Sequence, residues 1–268
     1  WTTGSKEHRE RLFAGIDRQD LKDLQSETEV YKRLGLDYIA PELRENRGEI
    51  EAASAGRLPK LINFPDIRGD LHVHSNWSDG VEQIQDLAAA ARSLGYEYIA
   101  ITDHSKSLNI SGGLTVERLQ AQGKVIDALN AEDVDGFHVF KGTEVDILKN
   151  GELDFPDHVL KELDIVVASV HSNFKMDADK QTQRIVEAAK NEHVDMIGHL
   201  TGRLLSRRSG YEIDVDKIID TCARYHTALE INAHPDRLDI DEHIARKAKE
   251  NGVKIAINSD AHHRNELK

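Results

Sequence analysis

The sequence predicts an α/β fold: seven strands in a parallel sheet or barrel with helices between them, preceded by a small, mostly helical segment. Three observations carry that expectation. Seven short apolar runs recur between residues 69 and 258, and helical patterns fall between most of them. Most of these runs are continuous rather than alternating, the texture of strands buried on both faces. Six of the seven finish in histidine, aspartate or glutamate. In a parallel α/β barrel all such ends open onto one face, where sites are built.

Residues 1–65 read as charged and helical, broken at Gly35, Pro41 and Gly56. Within them, 27–34 and 42–53 read as short helices and 59–65 as an extended linker. His8, the only histidine there, reads as exposed. From Arg68 the texture changes. Alternation in Gly69-Asp70-Leu71-His72-Val73-His74 puts Asp70, His72 and His74 on one strand face. The turn-forming Ser75-Asn76-Trp77-Ser78-Asp79-Gly80 then ends on a further carboxylate. A helix over 81–94 precedes a strand over 98–102 that runs into Asp103-His104. A helix over 115–131 leads to a strand over 138–143 ending at Glu144. The strand over 164–170 ends at His171. A helix over 178–191 precedes a strand over 194–198 ending at His199. Helices over 215–225 and 240–250 precede strands over 228–232 and 253–257, the last running into Asn258-Ser259-Asp260-Ala261-His262.

The formal net charge of −13 argues against a general electrostatic grip on nucleic acid. Residues 1–65 hold 11 basic and 12 acidic side chains, so the excess lies in the remainder, at 24 and 36. An acidic, histidine-bearing domain suits divalent cations. No apolar run approaches the ~18 residues that span a bilayer. The single cysteine, Cys222, excludes an intrachain disulfide framework, suits a reducing cytoplasm, and reads as a small core residue. The start at Trp1 reads as a cut from something longer.

Collected, the strand ends offer His72, His74, Asp79, His104, Glu144, His171, His199, Asp260 and His262. Nine imidazole and carboxylate groups exceed what one ion can use, so two or three ions are expected. Mixed nitrogen and oxygen donors without thiolate favour Zn, Mn or Fe over Mg or Ca. Clustered ions suit phosphate-ester cleavage, with a metal-activated water rather than a side chain as nucleophile. Asp70 and Asp103 are candidates to orient the imidazoles, with salt bridging as the equal alternative. Arg203, Arg207 and Arg208, following the strand end at His199, and Arg237 are candidates for phosphate recognition. Trp77 is a candidate for stacking on a base, with packing against the barrel rim as the alternative. His234 and His263 lie near the same face.

These residues resemble a PHP (polymerase and histidinol phosphatase) domain. The resemblance rests on His72-Val73-His74, Asp79-Gly80, Ile101-Thr102-Asp103-His104, Gly142-Thr143-Glu144, His171, Gly198-His199 and Ser259-Asp260-Ala261-His262. It implies a distorted (β/α)7 barrel with up to three metals, commonly Mn, Zn or Fe, and phosphoesterase activity. Its ligand pattern implies one ion on His72, His74, Glu144 and Asp260. Glu144 would bridge to a second ion on His171 and His199, and a third would use Asp79, His104 and His262. The lead-in narrows this further. Thr3-Gly4-Ser5-Lys6-Glu7-His8, Leu34-Gly35-Leu36-Asp37-Tyr38-Ile39, Pro41-Glu42-Leu43-Arg44-Glu45 and Gly48-Glu49-Ile50-Glu51-Ala52-Ala53 resemble the thumb and connector of family X DNA polymerases.

That resemblance implies a thumb-like segment over 1–65 and a PHP domain over 66–268, stopping before the last helix expected to close the barrel. The implied activity is a 3′–5′ exonuclease acting on single-stranded or gapped DNA 3′ ends, in a cytoplasmic, nucleoid-associated repair polymerase whose palm would precede Trp1. The sequence departs from the family at Trp1-Thr2, where an aromatic pair is usual, and at Leu200, where proline is common. Only 18 residues, Arg9 to Ser26, separate the first two thumb motifs. The alternatives are a small-molecule phosphatase similar to histidinol phosphatase and a non-catalytic, metal-holding scaffold of the polymerase.

Overall fold

The computed structural model describes residues 3–133 and 135–267. Trp1-Thr2 and the chain end at Lys268, both features of the resemblance, lie outside these residues. Two compact units divide the chain at Phe64/Pro65.

In the first unit, α1 (Lys6–Leu12) starts where the Ser5 hydroxyl accepts from the His8 N–H. The helix α2 (Glu27–Arg33) is capped in the same way by Ser26. The single helix expected over 42–53 is two pieces, a 3₁₀ turn Pro41–Leu43 and α3 (Glu49–Ser54). Asn46 and Gly48 between them take left-handed backbone, φ 55° and 95°, which no α-helix passes through. Leu12, Tyr31, Ile39 and Ala53 form the small core. The expectation that His8 is exposed is overturned: it is fully buried. Its Nδ1 lies 2.5 Å from Glu49 Oε1 and its Nε2 3.3 Å from the Tyr31 hydroxyl. An imidazole with both nitrogens partnered can be buried at little cost.

The second unit is the expected barrel. Strands β1 (Gly69–Val73), β2 (Tyr98–Ile101), β3 (His138–Asp146), β4 (Ile165–Ser169), β5 (Met196–Ile197), β6 (Ala228–Asn232) and β7 (Ile255–Asn258) pair in chain order, every neighbour parallel. Around them run α4 (Ile84–Ser93), α5 (Val116–Ala131), a single turn α6 (Asp157–Leu160), α7 (Ala178–Ala189), α8 (Val215–Tyr225) and α9 (Glu242–Glu250). Thr115, Asp177, Asp214 and Asp241 cap α5, α7, α8 and α9 through their side chains. The stripe Ile218, Ile219 and Cys222 of α8 is buried, worth about 1.5–3 kcal/mol for each isoleucine. Burial pushes the Cys222 thiol up to about 12, which leaves it an inert core group.

Between β1 and β7 the barrel closes differently. Its backbone links include one isolated bridge, Val73 with Ala261, the bond from His74 N–H to the Ala261 carbonyl, and that from Val81 N–H to the His262 carbonyl. Side chains do the rest. Asn258 Oδ1 accepts from the Leu71 N–H, and Asp70 Oδ2 accepts from the Ser259 N–H. Asp70 therefore closes the seam and does not orient an imidazole as expected, because its other oxygen takes the His72 N–H.

Candidate metal centre

All nine residues expected at the strand ends converge at the C-terminal mouth of the barrel. Among the described residues, four groups offer donor atoms that lie within 4.8 Å of one another inside each group: His72, His74 and Asp260; His72, Glu144 and His199; His104, Glu144 and His171; and His74, Asp79, His104 and His262. Glu144 is the hub. Its Oε1 lies 3.0 Å from His199 Nε2 and 3.2 Å from His171 Nε2. Its Oε2 lies 2.9 Å from His104 Nδ1, 3.4 Å from His72 Nε2 and 3.6 Å from His74 Nε2. Asp260 Oδ1 stands 3.1 Å from His74 Nε2. Asp79 lies at the open edge, 3.4 Å from both His104 and His262.

Backbone geometry aims these groups. His199 and Asp260 both sit in left-handed conformations, φ 49° and 56°, unusual for residues other than glycine and a form of strain found at sites. Gly80 lets the Asp79 turn lie against β1, since a Cβ there would collide with the His74 carbonyl. Asp103 does not orient an imidazole. It accepts from the backbone and hydroxyl of both Ser75 and Ser78, and so ties down the loop that carries Asp79.

The groups that do hold imidazoles were missed. Glu230 Oε1 lies 2.6 Å from His72 Nδ1 and accepts from Asn258 Nδ2 at 2.9 Å. Asp146 Oδ1 lies 2.9 Å from His171 Nδ1. Both repeat the signal that picked out β1, polar residues at period two inside an apolar strand: Glu144 with Asp146, and Glu230 with Asn232. Asp239, 3.6 Å from His199 Nδ1, lies in a loop with no such periodicity.

The chemistry of this set is that of a cation site. His72 Nε2, His104 Nδ1, both nitrogens of His74 and both oxygens of Glu144 are buried without a hydrogen-bond partner. Buried polar atoms are almost always paired, so atoms facing one another without hydrogen bonds fit a shared divalent ion. Charge is balanced among the side chains themselves. Burial works against the Glu144 carboxylate, but His171, His72, His104 and His199 hold its pKa well below the usual range. Burial likewise disfavours charge on His104 and His199, yet Glu144 pushes them up to about 10 and about 9. His74 goes the other way. Burial, then the neighbouring His104, push it down to about 3, so it stands neutral, as a metal ligand must.

The expected substrate groups divide. Arg237 reaches the centre, with Nη2 3.3 Å from His199 Nε2 and 3.8 Å from Asp260 Oδ2. Arg203 donates instead to the Leu238 carbonyl, and Arg207 pairs with Asp236 at 3.0 Å on the surface. Arg208 lies over the Phe174 ring. Trp77 is half-buried and packs against both apolar clusters of the barrel. His234 accepts from the Asp236 N–H, and His263 caps the 3₁₀ turn Arg264–Glu266.

Comparison with known proteins agrees with this geometry. The PHP domain family matches residues 70–234. The chain is 47% identical over 262 residues to the DNA polymerase/3′-5′ exonuclease PolX of Bacillus subtilis (strain 168), covering 96% of this chain and 45% of that protein. It thus spans about half the length of that relative. It is 35% identical over 204 residues to a probable phosphatase of Thermoanaerobacter sp. (strain X514), covering 72% of this chain and 78% of the relative. The histidinol phosphate phosphatase of Lactococcus lactis subsp. lactis Il1403, solved with zinc, L-histidinol and phosphate, shares the fold. Its TM-score is 0.55 at 20% identity, over 74% of this chain and 87% of that one. A seven-stranded parallel barrel, a buried array of unpaired imidazole and carboxylate atoms at its mouth, and these matches agree: the chain belongs to the PHP domain family of phosphoesterases.

Proposed function

We propose that the chain is the 3′–5′ exonuclease part of a family X DNA polymerase, cleaving phosphodiesters at DNA 3′ ends. The observation that carries the hydrolytic reading is the buried donor array without hydrogen-bond partners. What favours a polymerase part is that the Bacillus match runs through 96% of the chain, the thumb-like first unit included. Residues 1–65 are on this reading the thumb remnant and connector, with palm carboxylates and polymerase activity belonging to a longer protein.

His72, His74, Glu144 and Asp260 would hold one divalent ion, Glu144, His171 and His199 a second, and Asp79, His104 and His262 a third. Manganese suits a site of nitrogen and oxygen donors, and zinc or iron would fit the same set. When bound, such ions supply Lewis-acid charge to a phosphoryl group and acidify water. The side chains do the positioning. Glu230 and Asp146 fix the ring planes of His72 and His171 through their Nδ1 atoms. Asp103 holds the loop that presents Asp79. Arg237, beside His199 and Asp260, offers a guanidinium to a phosphate non-bridging oxygen.

Incubation with Mn²⁺ and a 3′-labelled single strand should release nucleotides, and Asp260→Ala should abolish the release. No release from single-stranded or gapped DNA would overturn the exonuclease reading. The Thermoanaerobacter relative favours a second reading, a phosphatase of small phosphate monoesters. Faster turnover of monoesters than of oligonucleotides would establish it instead.

A further inference from the structure

Asp239 presents a problem that the ligand set leaves unsolved. Its side chain is fully buried, and neither carboxylate oxygen has a hydrogen-bond partner. Native structures leave few such groups, and each calls for a partner. Two nitrogens stand just beyond hydrogen-bond reach of Oδ2: His199 Nδ1 at 3.6 Å, which also has Asn232 Nδ2 at 3.4 Å, and Arg237 Nη1 at 3.8 Å. Arg237 Nη1 is itself buried and unpartnered. The other terminal guanidinium nitrogen, Nη2, meanwhile lies 3.3 Å from His199 Nε2, the atom that faces Glu144. An imidazole nitrogen has one lone pair, so it cannot accept from Arg237 and ligate an ion together.

The backbone between these two side chains is strained. Leu238 has φ 102°, outside the regions open to a branched side chain. It is held there from the β5 loop. Arg203 donates to the Leu238 carbonyl, Thr201 Oγ1 donates to the Asp239 carbonyl at 2.9 Å, and the Leu205 N–H donates to the Asp236 carbonyl at 2.7 Å. Thr201 and Arg203 follow His199 on the same loop. Strain that persists is strain the surroundings over-determine, and here the surroundings are one ligand's own loop.

We propose that Asp239 is a positioning residue that joins ion binding at His199 to phosphate binding by Arg237. Hydrogen-bonded to His199 Nδ1, it fixes the ring with Nε2 turned toward Glu144. Paired with Arg237 Nη1, it draws the guanidinium away from His199 Nε2 and leaves Nη2 for a phosphate oxygen. Glu230 and Asp146 do not share this double role, because each already hydrogen-bonds its own histidine.

The inference rests on the metal-dependent phosphoesterase reading, so its test includes a measurement independent of activity. Apo protein would be titrated with Mn²⁺ alone by calorimetry, for wild type, Asp239→Asn, Arg237→Ala and the double variant. Asp239→Asn should weaken Mn²⁺ binding about 10–100-fold for one ion of the set. Arg237→Ala should tighten that ion by removing its competitor. On a phosphodiester, Asp239→Asn should raise KM more than it lowers kcat, and that KM effect should vanish in the Arg237→Ala background. Mn²⁺ affinity unchanged in Asp239→Asn, or KM effects that add in the double variant, would overturn the proposal. If Asp239→Asn does not fold, tightening in Arg237→Ala decides alone, since unaltered or weaker binding contradicts competition at His199. Wild-type protein that cleaves no ester would sink the enzymatic reading, while the Mn²⁺ titrations would still judge Asp239.

Discussion

Among the described residues, one buried histidine–carboxylate network in each unit can be set side by side, and the two are built on opposite terms. In the first unit, His8 uses one nitrogen on Glu49 and the other on Tyr31, while Glu49 also accepts from the backbones of Asn46 and Arg47. Every one of these valences is spent inside the protein. At the barrel mouth, six ring nitrogens and carboxylate oxygens of His72, His74, His104 and Glu144 have no hydrogen-bond partner at all. Burial and residue type are the same in both places. What separates a structural knot from a binding site is the valence left over.

The sharpest way to break that contrast is at the hub. Glu144→Ala should remove several kcal/mol of charge stabilisation, a loss of at least about 10³-fold in kcat/KM on any phosphoester, with bound metal falling by elemental analysis. Metal content and turnover near wild type would show that the leftover valences are not a site. The counterpart, Glu49→Ala, strands a buried imidazole and should cost about 3–5 kcal/mol in denaturant unfolding of the first unit. Metal content should stay as in wild type. Glu230→Gln should fall between the two, because it keeps the shape but weakens the hold on His72. Mn²⁺ affinity should drop about 10–100-fold by calorimetry with little change in melting temperature.

The smallest effect concerns Glu27. The Arg44 guanidinium beside it holds its carboxyl at about 2, below the ordinary 4.5. Its contribution is therefore whole above pH 4.5 and is lost as pH falls toward 2. Wild type and Glu27→Gln should differ in denaturation midpoint at pH 6 and converge near pH 2. A gap independent of pH would mean that the pair acts through packing.

The barrel and the residues gathered at its mouth were legible because one physical rule links them. Parallel strands buried on both faces write continuous apolar runs, and their ends share one face, so His104, Glu144, His171, His199 and Asp260 could be collected without contact information. Supporting residues obey weaker rules. Glu230 and Asp146 repeat the alternation of β1 and could have been found by it. Asp239 could not, since its place depends on a strained Leu238 held by a loop more than thirty positions earlier. His8 was misread for a related reason: nothing local in 1–65 shows that Glu49 and Tyr31 come to meet it.

The side-chain seam between β1 and β7 has a consequence for the order of events on a growing chain. The links from Leu71 to Asn258 and from Asp70 to Ser259 join residues 187 and 189 positions apart. During synthesis, His72 and His74 emerge well before Asp260, which stands almost at the end of the barrel. Until then the first strand has an unpaired edge and the nascent site lacks one of its carboxylates. On the metal-centre reading proposed above, tight ion binding would come only after residue 260 is made, and it would report that both ends of the barrel have met.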